Sequence, residues 1–135
     1  MDGPIAPNEL HHFNVFTTAY PEEPELAFNG VRASSRVLHT SADGRVFAGA
    51  RRYPDGADYT VGPDITHHEI WYVVEGTVVL TPEGGDPVTF VPGEFISYPA
   101  GMPVHAVYSP GSHHLAVFFA DHPLVQEDIA PTALR

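Results

Sequence analysis

A chain of 135 residues with 43% hydrophobic and 17% charged residues has the size and composition of one globular domain built around a single core. Acidic residues number 17 against 6 basic ones, all of them Arg, and the formal charge of −11 repels phosphate backbones and anionic lipid. Nucleic acid and membrane surfaces are therefore poor partners, and the absence of Cys removes disulfides, thiolate metal sites, iron–sulfur clusters and cysteine nucleophiles together.

Residues 1–30 are rich in Pro and Glu (Pro4, Pro7, Pro21, Pro24, Glu22, Glu23, Glu25) and read as an N-terminal arm, with one strand expected at Phe13–Thr18. This start has neither the basic residues nor the apolar run of a signal peptide, and no apolar stretch reaches the roughly 20 residues of a membrane span, so a cytoplasmic location is expected. Residues 31–123 have the grammar of an all-β domain: short β-branched or aromatic runs, each closed by Gly or Pro. The expected strands are Arg36–His39, Arg45–Tyr53, Ile70–Glu75, Thr77–Thr81, Val88–Val91, Phe95–Tyr98, Val104–Tyr108 and His114–Phe119. Turn signals separate them at Asp43-Gly44, Pro54-Asp55-Gly56, Glu75-Gly76, Gly84-Gly85, Pro92-Gly93, Gly101 and Pro110-Gly111. With 12 Gly and 14 Pro, long helices have little room, and residues 124–135 form a tail whose only helical hint is Leu124–Ile129. Short strands at this spacing imply a sandwich or barrel, and a jelly roll leaves few exposed edges at this size.

Charge is uneven along the chain. Arg32, Arg36, Arg45, Arg51 and Arg52 cluster early, whereas Tyr53–Leu134 contains no Arg or Lys but eleven carboxylates and six His. Within that acidic half, Gly56, Glu69 and Gly76 are spaced as in a Gly…His-x-His…Glu…Gly pattern whose two His positions hold Gly62 and Asp64. Gly93, Pro99, Gly101 and His105 follow a Gly…Pro-x-Gly…His pattern, with the His one residue late. In these features the sequence resembles the cupin superfamily over about residues 45–120. The resemblance implies a single double-stranded β-helix, or jelly-roll barrel, of the small RmlC-like kind. It also implies a divalent metal (Fe, Mn, Ni or Zn) held by imidazole and carboxylate ligands, and a homodimer.

Strand period two sorts the candidate ligands. If Glu69 points into the barrel, His67 and Trp71 do too, while His68 and Tyr72 face the other way. His67 and Glu69 then offer an imidazole and a carboxylate on one face, and His105 completes a two-His, one-carboxylate set if a bulge at Met102-Pro103 re-aims it inward. Asp64, standing where the family keeps a His, is a further oxygen ligand or proton carrier, so that Glu69, His105 and Asp64 form the expected catalytic group. Trp71, Tyr59, Arg51 and His113 are expected to line a substrate cavity; one of Arg51 and Arg52, and one of His113 and His114, must face inward. No phosphate-binding loop or dinucleotide Gly pattern occurs, so neither a nucleotide nor a flavin is expected.

The resemblance implies an enzyme acting on a small organic substrate, aromatic or polyketide-like, by metal-assisted oxygenation, isomerisation, cyclisation or elimination. The alternative is a metal-free cupin that binds or senses a small molecule, because a Gly and an Asp replace two family ligands.

Overall fold

The computed structural model describes residues 10–22, 31–61 and 66–124. The described residues form nine strands: β1 Ser34–Thr40, β2 Val46–Tyr53, β3 Ala57–Val61, β4 His68–Glu75, β5 Val78–Pro82, β6 Val88–Phe90, β7 Phe95–Tyr98, β8 Val104–Tyr108 and β9 Ser112–Phe119. Among the described residues there is no helix. Two antiparallel sheets face each other, one ordered β1-β2-β9-β4-β7 and the other β3-β8-β5-β6, as in a jelly roll.

Sheet pairing fixes which side chains enter the barrel. The ladders Ser35–Arg51–His114–Val73 and Val37–Gly49–Ala116–Trp71–Ile96 are inward rows of the larger sheet, and Phe47–Phe118–Glu69 is a third. Most of these side chains are buried, with Tyr53, Tyr59, Val78, Leu80, Val104, Ala106 and Tyr108 closing the core from the other side. Each fully buried large apolar side chain contributes about 1.5–3 kcal/mol, so this interior dominates the stability of the fold.

Two glycines of the sequence pattern have a mechanical reason. Gly56 and Gly76 adopt φ of 76° and 74°, and a Cβ at Gly56 would stand 2.6 Å from the Tyr108 carbonyl oxygen. At Gly76 it would meet Ser109 Oγ at 2.7 Å and Ser112 Cα at 2.8 Å. That contact region is tied down: Ser109 Oγ accepts from Thr77 N–H at 2.9 Å, and Ser109 N–H donates to the Thr77 carbonyl at 3.0 Å. Only glycine provides both the left-handed backbone and the close approach at these two turns.

Three expectations are corrected. Phe13–Thr18 is a turn rather than a strand, because Asn14 Oδ1 accepts from the amides of Phe16 (2.9 Å) and Thr17 (3.2 Å) and curls the chain locally. β3 was not among the expected strands, and it pairs along its whole length with β8. The last strand begins earlier than expected, at Ser112, because Arg52 and Tyr53 pair with His113 and Ser112. The helical hint at Leu124–Ile129 falls outside the described residues beyond Leu124.

The arm segment 10–22 lies over the outer face of β1, β2 and β9. Arg36 Nη1 donates to the Ala19 carbonyl (3.1 Å) and Arg52 Nη2 to the Val15 carbonyl (2.9 Å). The Arg52 guanidinium sits 4.7 Å from the centre of the Tyr20 ring, and Ser35 N–H donates to the Pro21 carbonyl at 2.9 Å.

Candidate functional site

Alternation along β4 and the residue before it brings His67, Glu69, Trp71 and Val73 inward, all nearly inaccessible to solvent. Glu69, 5% exposed, accepts a hydrogen bond from Trp71 Nε1–H at 3.1 Å through Oε1. Its other oxygen stands 3.8 Å from His67 Nε2, whose ring packs on Phe118 with centres 4.8 Å apart. Burial pushes the Glu69 carboxyl from 4.5 up to about 8, against the weaker opposing pull of the Trp71 hydrogen bond and of the Arg51 charge. At neutral pH this side chain is mainly a carboxylic acid, not a carboxylate.

Arg51 faces the interior from β2 and Arg52 faces the arm, and the adjacent histidines divide in the same way. His114 lies inward, directly across from Arg51, and its ring stacks on Trp71 at 4.8 Å with planes 17° apart. Burial, reinforced by the nearby Arg51 charge, depresses its pKa from 6.5 to about 3, so it is neutral at physiological pH. Its Nδ1 has no hydrogen-bond partner among the described residues. Below this layer Tyr53, Tyr59 and Tyr108 join hydroxyls, with 3.1 Å between Tyr53 and Tyr59 and Tyr59 donating to Tyr108 at 3.1 Å. Desolvation raises the pKa values of Tyr59 and Tyr108 well above 10, so both remain phenols.

Of the residues expected at the site, the structure therefore brings Glu69, His67, Trp71, Tyr59 and Arg51 into the barrel. His105 is not among them. No inward re-aiming follows Met102-Pro103: β8 runs in unbroken register with β3 and β5, alternating buried and exposed positions, and its second residue points outward. The His105 side chain is 47% exposed and pairs through Nε2 with Asp58 Oδ1 at 2.5 Å, on the face opposite to Glu69. His113 also faces outward, under the arm, where Nε2 shares a 2.8 Å hydrogen bond with the Tyr20 hydroxyl and Nδ1 lies 3.5 Å from Glu75 Oε1. The inward His is its neighbour His114, so the expectation that His113 lines the cavity is corrected: pairing sets His114, not His113, across from the inward Arg51. Asp64 lies outside the described residues.

Comparison with known proteins agrees with this architecture. Residues 61–111 match the family described as the EutQ-like cupin domain. The chain has the cupin fold. An RmlC-like cupin from Shewanella frigidimarina superposes with a TM-score of 0.66 at 17% identity, covering 93% of this chain and 100% of that one. KdgF from a Halomonas species gives 0.64 at 19% identity over 88% and 98%, and Clostridium difficile EutQ gives 0.61 at 21% over 82% and 80%. The sequence has no significant match among curated proteins.

The cupin resemblance implies a divalent metal, and the donor set can be tested against that. Among the described residues no three His, Cys, Asp or Glu side chains stand together as ligands. His67 and Glu69 supply two donors in the barrel, and His105, on the outer face, cannot be the third. Three protein ligands are the usual minimum for a catalytic metal of this type, so the described residues do not fit one.

Proposed function

We propose that this cupin is an enzyme that moves protons on a small organic substrate inside the barrel, with Glu69 as the acid–base group. Isomerisation, cyclisation and elimination belong to that class of chemistry. The observation that carries the reading is the Glu69 carboxyl, buried, oriented by Trp71 Nε1–H and with its pKa displaced to about 8. A carboxyl protonated near neutrality can give its proton to a developing oxyanion or carbanion and take one back within the same cycle. Trp71 Nε1–H holds Oε1, and Oε2 stands on the His67 side, 3.8 Å from Nε2. The apolar and phenolic walls exclude water, which keeps the proton between enzyme and substrate. Every role here belongs to a side chain, and none is assigned to a metal.

The reading is tested by solvent-deuterium incorporation. A panel of enolisable carbonyl compounds is incubated with the protein in deuterated buffer containing chelator, and exchange at carbon is followed by proton NMR. Exchange by the wild type that falls by about a hundredfold or more in Glu69→Gln is the expected result. Exchange that requires added metal, or that Glu69→Gln performs at the wild-type rate, would overturn it.

A further inference from the structure

Beside the acid–base group, the inner face of β1, β2 and β9 holds a second set of polar side chains. Strand pairing puts Ser35 directly across from Arg51 and Arg51 directly across from His114, so the three stand in one inward row. All three line a part-open cavity of about 20 Å³, whose remaining walls include Phe47, Gly49, Ala116 and Phe118. Ser35 and His114 are only 4% and 6% exposed, and yet His114 Nδ1 reaches no partner among the described residues. Leaving a buried imidazole nitrogen unsatisfied is costly, and the cost is recovered when a ligand or water occupies the void. The Phe47 ring folds over Gly49, where a Cβ would come within 3.0 Å of Phe47 Cε1.

We propose that the Ser35–Arg51–His114 corner is a carboxylate subsite, and that the molecules this barrel acts on are organic acids. The planar guanidinium of Arg51 matches the two oxygens of a carboxylate, Ser35 Oγ–H is a donor to one of them, and the Nδ1–H tautomer of neutral His114 is a donor to the other. The void is small, about 20 Å³, so only the carboxylate end can enter it and the rest of the acid extends toward the opening. Phe47, Ala116 and Phe118 lower the local dielectric and strengthen each of these bonds. The assignment rests on the barrel interior being the reaction chamber proposed above, although its binding step can be measured without turnover.

Trp71 is the only Trp in the chain and touches the subsite through His114, so its fluorescence reports occupancy. The intact protein is titrated with acetate and propionate, with acetamide as the neutral counterpart and chloride as the inorganic anion. Both carboxylates are expected to give saturable changes, while acetamide and chloride give none. Arg51→Met is expected to raise the acetate Kd by about tenfold or more, with Arg51→Lys restoring part of the affinity. Ser35→Ala, which removes one donor and little volume, provides the same test if Arg51→Met does not fold. An equal response to chloride, no saturation by either carboxylate, or unchanged affinity in folded variants would overturn the assignment. Glu69→Gln separates the two readings. Acetate binding that survives in that variant while wild-type exchange is absent refutes only the acid–base role, and exchange without carboxylate binding refutes only the subsite.

Discussion

Replacing Glu69 by Gln should make the protein more stable at neutral pH, although it removes a charged residue type from the core. In the folded state the carboxyl titrates near 8, against 4.5 for an ordinary carboxyl. Below pH 4.5 both folded and unfolded states carry the proton, and burying the neutral acid brings no ionisation penalty. As pH rises, the unfolded chain gains the free energy of ionisation while the folded one does not, so stability is lost progressively until the folded group itself ionises near 8. The slope is about 1.4 kcal/mol per pH unit, so two units between pH 5 and pH 7 cost the wild type about 3 kcal/mol. Glutamine keeps an oxygen for the Trp71 Nε1–H bond at nearly the same shape and cannot ionise. His114 acts in the opposite sense, because a folded pKa near 3 removes stability as pH falls below 6.5. Both proteins share that contribution, so their difference isolates Glu69. Urea titrations at pH 5, 6, 7 and 8 are expected to show Glu69→Gln gaining on the wild type by about 3 kcal/mol from pH 5 to pH 7. A difference independent of pH would refute the reasoning.

Gly76→Ala should cost about 3 kcal/mol in urea unfolding, combining left-handed backbone strain with a 2.7 Å contact on Ser109 Oγ. Gly84→Ala, at φ +74 but with open space around it, should lose only about 1 kcal/mol, and equal losses at both positions would refute the steric part. Tyr20→Phe removes the hydroxyl bonded to His113, so amide exchange at Ser35, which donates to Pro21, should accelerate roughly fivefold while β4 and β9 amides stay unchanged. His105→Ala breaks an exposed pair with Asp58 and should shift stability by less than about 1 kcal/mol without altering deuterium exchange. Loss of exchange in that variant would place His105 in the chemistry after all.

Much of the barrel is legible in the residues because strand and turn signals are local. The β-branched runs closed by Gly or Pro become strands, and period two places His67, Glu69 and Trp71 on one face. What local pattern cannot supply is pairing. Ala57–Val61 is short and adjoins Gly62-Pro63, and only its partner β8 makes it a strand. For two adjacent histidines the pattern demands one inward and one outward, and the pairing of His114 with Arg51 decides which. His105 illustrates how sensitive a strand is to register. One additional residue after Gly101 is enough to reverse a side chain in a period-two element, and β8 accommodates it without a bulge. For Glu69 the sequence leaves two states open, since a carboxyl buried without a cation must be either protonated or paired with an Arg, and desolvation by residues far apart in the chain favours the protonated one.

The most direct test of the account is the titration of the Glu69 carboxyl itself, by carbon-13 NMR of protein labelled at the glutamate side-chain carboxyl, with Glu69→Gln to assign the signal. One resonance, missing in the variant, is expected to titrate near pH 8. If the resonance lost in Glu69→Gln titrates close to 4.5, Glu69 is an ordinary carboxylate at neutral pH and the proposed acid–base role fails.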